Sequence, residues 1–233
     1  MIRRAMALLA ALALPFAAAP AAAQNWNAEV EETAQGFRVG NPEAELHLVE
    51  FASYTCPACA RFERDSEAEL RYFYIHEGGA SLEVRHLIRN IVDVAAALTA
   101  ECGETADFFQ NHRTLLIRQA DWLGRAEALS PQQQARWNAG GIPARLRAIA
   151  SDLEFYELME PRGVSRSELD RCLSDQARAE ALVAASAANA REFGVQGTPS
   201  FVLNGTLLED VHGWPALREV LVAARQSPTI VTE

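Results

Sequence analysis

Short apolar segments alternate with longer stretches of helical periodicity along this chain. Residues 46–53 form an almost continuous apolar run, and residues 82–88 alternate apolar with polar side chains, so both predict strands. Between them, a helical pattern begins after Cys59 and extends to about residue 75, where a pair of glycines stops it. Because two strands joined by one helix pair side by side in the same direction, this order predicts a βαβ unit with a parallel sheet.

The regions on either side of this unit have different patterns. Residues 24–35 are polar and predict a loose lead-in or a short helix, and residues 37–39 predict a short strand at the sheet edge. Residues 92–193 carry alanine and leucine at helical spacing and predict a helical insertion. The breaks and helix starts predicted within the insertion are a break at 121–124, a capping box at Ser130, a break at 140–141, a helix over 143–159 and a capping box at Ser165.

Strand signals return after Gly194, which suits the residue just past the end of the last long helix. Residues 200–203 and 206–208 flank an Asn-Gly pair, which is the strongest short hairpin signal, and a closing helix over 214–225 follows. The pattern therefore predicts an α/β fold whose single sheet is split in sequence by an inserted helical domain. The predicted boundaries are 24–91 for the first part of the sheet domain, 92–193 for the insertion and 194–233 for the second part.

The first 23 residues have the pattern of a secretory signal peptide. Arg3 and Arg4 precede an apolar stretch over residues 5–19, and an Ala-Ala-Ala segment ends at Ala23, where we predict cleavage. The apolar stretch is shorter than the roughly 20 residues of a membrane span. We therefore expect export to the periplasm. The formal net charge of −10 argues against nucleic acid and anionic lipid surfaces as partners.

The strongest chemical motif is Cys56-Pro57-Ala58-Cys59, at the junction between the first central strand and its helix. A Cys-x-x-Cys at such a junction is typical of a thioredoxin-type redox centre, because the partial positive charge of a helix N-terminus favours a thiolate. We predict that Cys56 is the exposed nucleophile and Cys59 the resolving thiol. Glu50 lies inside the apolar strand, where an acid is unfavourable without a function. The alternative is that Glu50 points to solvent from an edge strand.

These motifs, together with the segment Val-Gln-Gly-Thr-Pro-Ser-Phe that contains Thr198 and Pro199, resemble the DsbA-like branch of the thioredoxin superfamily. The resemblance implies a thioredoxin-like fold with an inserted helical domain. No phosphate-cradling glycine loop appears in the sequence, and we expect no cofactor. The resemblance also implies that Glu50 exchanges protons with Cys59, and that Pro199 is cis and lies against Cys56. Main-chain groups of Thr198 would then be open to an extended peptide that docks by strand addition. The alternative is that residues 197–199 form an ordinary turn.

The resemblance implies a periplasmic thiol:disulfide oxidoreductase that exchanges its Cys56–Cys59 disulfide with cysteines of exported proteins. Oxidation is the favoured direction, with a membrane redox partner that reoxidises the pair. The family's oxidases often carry Pro-His between the cysteines, so Pro-Ala here predicts a potential between about −120 and −270 mV, the values of DsbA and thioredoxin. Thr198 also resembles the residue of thiol isomerases, which leaves an isomerase or reductase as an alternative. A metal-binding or chaperone-like protein, with the two sulfurs as soft ligands, is a more distant one.

Two further cysteines, Cys102 and Cys172, lie early and late in the predicted insertion. A bridge between them would close a long loop and stabilise the fold by roughly 4 kcal/mol on the loop-entropy argument. Some DsbA-like proteins resemble this arrangement, with a second disulfide that tunes the first. We predict the bridge, and the alternative is a pair of free buried thiols.

Overall fold

The computed structural model describes residues 24–226, so the predicted signal peptide and the last seven residues lie outside the described residues. Its centre is a six-stranded mixed sheet with the strand order β1-β2-β4-β3-β5-β6. The strands are β1 (Val30–Glu32), β2 (Phe37–Gly40), β3 (Leu46–Ala52), β4 (Ala80–His86), β5 (Ser200–Leu203) and β6 (Thr206–Leu207).

Strand β3 lies between β4 and β5 in the sheet, and the turn after it leads to Cys56. It pairs in parallel with β4, Leu48 opposite Leu82, which confirms the predicted βαβ unit. On its other side it pairs antiparallel with β5, Phe51 opposite Ser200. Because β3 and β5 run in opposite directions, the residues after β3 and those before β5 meet at the same edge of the sheet.

The prediction that β2 is an edge strand is wrong. Strand β2 lies between β1 and β4, and the edge strand β1 comes from the polar lead-in, where Val30 pairs with Val39. A 3₁₀ turn, Trp26–Ala28, precedes β1. The turn from β1 to β2 passes so close to β4 that a Cβ atom on Gly36 would overlap the main-chain carbonyl oxygen of Val84.

Among the described residues, eight helices lie between β4 and β5 in the sequence, one precedes β4 and one follows β6. The helices are α1 (Pro57–Glu69), α2 (Ile91–Ala100), α3 (Phe108–Ile117), α4 (Gln119–Glu127), α5 (Pro131–Trp137), α6 (Ile142–Asp152), α7 (Phe155–Met159), α8 (Arg166–Leu173), α9 (Gln176–Phe193) and α10 (Trp214–Gln226). A π-helical segment, Leu70–Ile75, continues α1. Within residues 24–226, no helix combines the length and apolar character needed to cross a membrane.

Two predictions within the helical region are wrong. Residues 121–124 do not break the chain but lie inside α4, because Trp122 is fully buried and donates from Nε1 to the carbonyl oxygen of Leu115 at 2.9 Å. The single helix predicted over residues 143–159 is two helices, separated where Glu154 adopts a left-handed backbone with φ of 61°. The capping box at Ser130 is present as predicted, and at Ser165 only the hydroxyl half of the box forms.

The side chains of β3 alternate between two apolar clusters on the two faces of the sheet. Leu48 and Ala52 belong to the large cluster that includes residues of α1 and α10, whereas Val49 and Phe51 belong to a smaller cluster. Phe193 of α9 packs on the smaller cluster, with ring centroids of Phe51 and Phe193 5.7 Å apart. Since side chains alternate along a strand, Glu50 faces the same side as Leu48 and Ala52, toward α1.

Candidate redox site

Cys56 lies at the N-terminus of α1, directly after the turn that leaves β3. Its N–H donates to the carbonyl oxygen of Ser53 at 3.1 Å, and its backbone is extended, with φ of −95° and ψ of 115°, as an N-cap residue requires. Pro57 follows in the first turn of the helix, where its missing N–H leaves no hydrogen bond unmade. The turn therefore directs the Cys56 side chain toward the free N–H groups of the first helical turn.

The segment before β5 covers this sulfur from the other side. The Thr198–Pro199 peptide bond is cis, and the Cys56 Sγ lies 3.1 Å from the carbonyl oxygen of Thr198. Cys56 is consequently only 6% exposed, so the expectation of an openly exposed nucleophile is wrong. Its partner Cys59 is fully buried, and both are free thiols in this structure. Of the pair, Cys56 is the sulfur that an incoming molecule reaches first.

The two thiols have pKa values displaced in opposite directions. The hydrogen bond from the Cys59 thiol is the main reason that the pKa of Cys56 falls to about 5. A hydrogen bond from the Thr198 side chain and those from the N–H groups of Ala58 and Cys59 lower the pKa further, whereas burial raises it. Burial is the main reason that the pKa of Cys59 rises, followed by its hydrogen bond to Cys56 and the charge of Glu50. At neutral pH the pair is therefore a thiolate at Cys56 and a protonated thiol at Cys59.

Glu50 lies in the central strand, 1% exposed, and does not face solvent from an edge. Burial raises the pKa of its carboxyl group well above the usual range, and the charges of Glu63 and Cys56 raise it further. Its Oε1 atom is buried and has no hydrogen-bond partner among residues 24–226. Glu50 in turn raises the pKa of Cys59, so the charge of this acid and the ionisation of the buried sulfur are coupled.

The cis-proline segment is held by two further polar contacts. The Pro199 carbonyl oxygen lies 3.0 Å from Nδ1 of His212. Ser200 Oγ donates to the carbonyl oxygen of Gly197 at 2.9 Å, which closes the turn before β5. This segment is thus held in place from both ends beside the Cys56 sulfur.

Sequence reasoning missed three buried polar residues at this site. Glu63 follows Cys59 by one helical turn, and burial raises its pKa to about 7 against the opposing charges of Arg71 and Arg113. Gln119 and Asp93, from the helical insertion, form hydrogen bonds with residues of the turn before Cys56. The spacing of four between Cys59 and Glu63 was a usable signal, but no local pattern marks Gln119.

Cys102 and Cys172 are joined by a disulfide bond, with 5.8 Å between their Cα atoms. Cys102 lies just after α2 and Cys172 lies within α8, so the bridge ties these two helices together. The free-thiol alternative does not describe this structure.

Metal ligation was the chemical alternative for Cys56 and Cys59. In residues 24–226, no group of three or more histidine, cysteine, aspartate or glutamate side chains is arranged to hold a metal ion. Among the described residues, a metal at this position would have only the two sulfurs as ligands.

Comparison with protein families and curated sequences gives a consistent result. A family model described as thioredoxin matches residues 32–223. A relative in Rickettsia conorii, provisionally named a protein-disulfide oxidoreductase, is 27% identical over 194 residues, covering 80% of this chain and 62% of the relative. A relative of the same name in Rickettsia felis is 29% identical over 196 residues, with the same coverage. The chain therefore spans about three fifths of the length of these curated relatives.

Solved structures extend this result. A crystal structure titled protein-disulfide isomerase, from Novosphingobium aromaticivorans, is 41% identical with a TM-score of 0.78, covering 82% of this chain and 97% of that one. Wolbachia pipientis α-DsbA1 shares the fold at 16% identity, with a TM-score of 0.64 and coverage of 80% and 89%. With the family match over residues 32–223 and the cysteine pair at the start of the helix that follows β3, the chain belongs to the thioredoxin family.

Proposed function

We propose that this protein exchanges disulfides between its Cys56–Cys59 pair and cysteines of exported proteins, and that it acts as an oxidase. The observation that carries the proposal is the placement of Cys56 at the start of α1 against the main chain of Thr198, with Cys59 buried behind it. A stabilised thiolate that a peptide can reach, backed by a protonated thiol, is the arrangement that thiol–disulfide exchange needs.

In the oxidising direction, the reaction begins with Cys56 and Cys59 joined. A substrate thiolate attacks the Cys56 sulfur, the Cys56–Cys59 bond breaks, and its electron pair leaves on Cys59. Cys59 then takes a proton, and Glu50 supplies it, because its raised pKa favours the protonated carboxyl. A second substrate thiolate attacks the substrate sulfur of the mixed disulfide and releases Cys56 as a thiolate. Two substrate cysteines are oxidised, and the enzyme pair is reduced.

The low pKa of Cys56 supports the oxidising direction. A stabilised thiolate stabilises the reduced enzyme, and a stabilised reduced form is a stronger oxidant. A disulfide isomerase is the second candidate, and the 41% identical structure titled protein-disulfide isomerase favours it. The two functions differ in whether the reduced or the oxidised pair starts the reaction.

The place of action and the electron partner belong to the same proposal. The signal-peptide pattern of residues 1–23, which lie outside the described residues, supports export to the periplasm. An oxidase there must be reoxidised after each cycle, and we assign this step to a membrane redox protein. Its reaction is the reverse exchange, in which a partner disulfide accepts electrons from reduced Cys56 and Cys59.

The direction is tested by equilibrating the purified protein with reduced and oxidised glutathione and by refolding two kinds of substrate. An oxidase gives a potential well above that of thioredoxin, about −270 mV, and oxidises a reduced, unfolded substrate. An isomerase instead restores activity to a substrate with scrambled disulfides when it is added in reduced form. A potential at or below that of thioredoxin, without oxidation of the reduced substrate, would contradict the oxidase proposal.

The roles of the two sulfurs are tested by single substitutions. Cys56→Ser should abolish turnover, because no sulfur then accepts the substrate thiolate. In Cys59→Ala, the Cys56 thiolate still attacks a substrate disulfide and forms a mixed disulfide, but no neighbouring thiol then displaces the substrate, so adducts should accumulate and be seen by mass spectrometry. If Cys56→Ala accumulates adducts and Cys59→Ala does not, the roles are reversed.

A further inference from the structure

The turn that presents Cys56 is held by a side chain from the helical insertion. Gln119, the first residue of α4, is 3% exposed and donates from Nε2 to two main-chain carbonyl oxygens, that of Tyr54 at 2.6 Å and that of Cys56 at 2.8 Å. These carbonyls belong to residues two apart in the turn. A single amide group thus bridges the turn immediately before the helix that carries the redox pair.

A second buried residue of the insertion fixes the other side of the same turn. The Asp93 carboxylate, in the first turn of α2, accepts hydrogen bonds from Ser53 Oγ at 2.9 Å and from Thr55 N–H at 2.9 Å. It also accepts from Thr55 Oγ1 at 3.1 Å. Asp93 therefore holds residues 53 and 55, and Gln119 provides the side-chain contact with the Cys56 carbonyl among the described residues.

The Cys56 carbonyl belongs to the helix start whose N–H groups stabilise the Cys56 sulfur. It accepts the first hydrogen bonds of α1, from Cys59 N–H at 3.1 Å and Ala60 N–H at 3.3 Å. The N–H groups of Ala58 and Cys59 stabilise the Cys56 thiolate. A rotation of the peptide unit at Cys56 would therefore move the sulfur relative to the helix N-terminus, where the stabilising effect falls off within one turn.

We propose that Gln119 is a positioning residue for Cys56: by holding the Tyr54 and Cys56 carbonyls, it keeps the sulfur where the first-turn N–H groups of α1 can stabilise its thiolate. The helical insertion then helps to set the reactivity of a cysteine that it does not itself contain. The inference rests on the proposed function only in taking Cys56 as the reacting sulfur.

The test is the ionisation of Cys56, followed by thiolate ultraviolet absorbance against pH in the full-length reduced protein. Gln119→Met keeps the length and volume of the side chain but removes both N–H donors. Asn111→Leu is the matched control, since Asn111 is a buried amide of the same insertion that donates from Nδ2 to the carbonyls of Ala100 and Cys102, at 3.3 and 3.2 Å. None of its hydrogen bonds reaches the turn before Cys56.

Gln119→Met should raise the midpoint of the thiolate titration by about one pH unit, the equivalent of roughly one net hydrogen bond. The equilibrium with glutathione should shift toward the oxidised protein by about tenfold, because the reduced form loses the same stabilisation. Asn111→Leu should lose stability to a similar degree, measured by urea unfolding, while its titration midpoint stays at the wild-type value.

A wild-type midpoint in a folded Gln119→Met protein would overturn the inference and leave Gln119 with a structural role only. If that variant does not fold, Gln119→Ser is used instead, since it leaves room for water at the two carbonyls, and the same rise or its absence decides. The titration needs no substrate, so failure of the oxidase proposal in the refolding assay and failure of this inference are separate results.

Discussion

The lowered pKa of Cys56 makes the stability of the reduced protein depend on pH in a defined way. A thiol whose ordinary value of 9.0 falls to about 5 in the folded protein is a thiolate in the native state and a protonated thiol in the unfolded state between these values. The unfolded chain then binds one proton more than the native chain, so the free energy of unfolding rises with pH, by at most about 1.4 kcal/mol per pH unit.

The sign follows from the direction of the displacement. The contribution is fully present above the ordinary pKa and is lost as the pH falls through about 5. Between pH 5 and 7 the unscreened gain is roughly 2 kcal/mol, and solvent screening at a site that opens to the surface reduces it to about 1 kcal/mol. Cys56→Ser lacks this contribution, so the reduced wild-type protein should gain about 1 kcal/mol over the variant across this range.

Urea unfolding at a series of pH values from 5 to about 8, with both proteins in the same reductant, measures this difference. Subtracting the variant removes the contributions of carboxyl groups and histidines that titrate in both proteins. The upper limit of the range avoids the Cys59 thiol, whose raised pKa acts with the opposite sign at higher pH. A difference that is flat across the range, or that shrinks as the pH rises, would refute the reasoning that Cys56 is ionised in the folded protein near neutral pH.

Three further predictions concern the groups around the redox pair. Because burial raises the pKa of Glu63 to about 7, the contribution of this residue to stability falls as the pH rises from about 4.5 to 7, and Glu63→Gln should remove that loss of about 2–3 kcal/mol in urea unfolding. An unchanged pH slope would contradict this. Glu50→Gln should likewise raise stability near neutral pH, because the pKa of Glu50 is also raised, and it should slow the step that protonates Cys59, seen in stopped-flow measurement of mixed-disulfide formation against pH; an unaltered rate profile would remove Glu50 from the mechanism. Replacing both Cys102 and Cys172 by alanine should lower the free energy of unfolding by about 4 kcal/mol, and a loss below 1 kcal/mol would show that the closed loop is not the source of stability.

The elements that position the site could be predicted from sequence because their signals are local. The apolar run of β3 and the Asn-Gly turn after β5 each determine their own element, and the structure contains both. Strand β1 was missed because Glu31 and Glu32 are exposed and the strand forms by pairing with β2, which no local pattern indicates. Helix α4 was missed because Asp121 and Gly124 suggest a break, whereas the burial of Trp122 against the core outweighs both.

For the residues of the site, too, local features could be predicted from the sequence, whereas contacts between distant segments could not. The Cys-x-x-Cys spacing and the helix start after it place Cys56 at a helix N-terminus without any tertiary information. Its low exposure could not be predicted, because the covering group, the Thr198 main chain, is 142 positions further along the chain. The contact with Gln119 has the same origin: whether a glutamine at the start of a helix faces solvent or a distant carbonyl depends on how the insertion packs, which local periodicity does not encode.

Gly36 lies where the turn between β1 and β2 passes close to the backbone of β4. Any side chain at this position would press on the backbone of β4 at Val84, and backbone, unlike a flexible side chain, has no rotamer with which to move aside. Val84 is in turn the residue paired with Glu50 across the parallel ladder. A single added methyl group in the turn between β1 and β2 would therefore push on β4, the strand that pairs with β3 at Glu50, so packing around the buried acid depends on a glycine outside the candidate site.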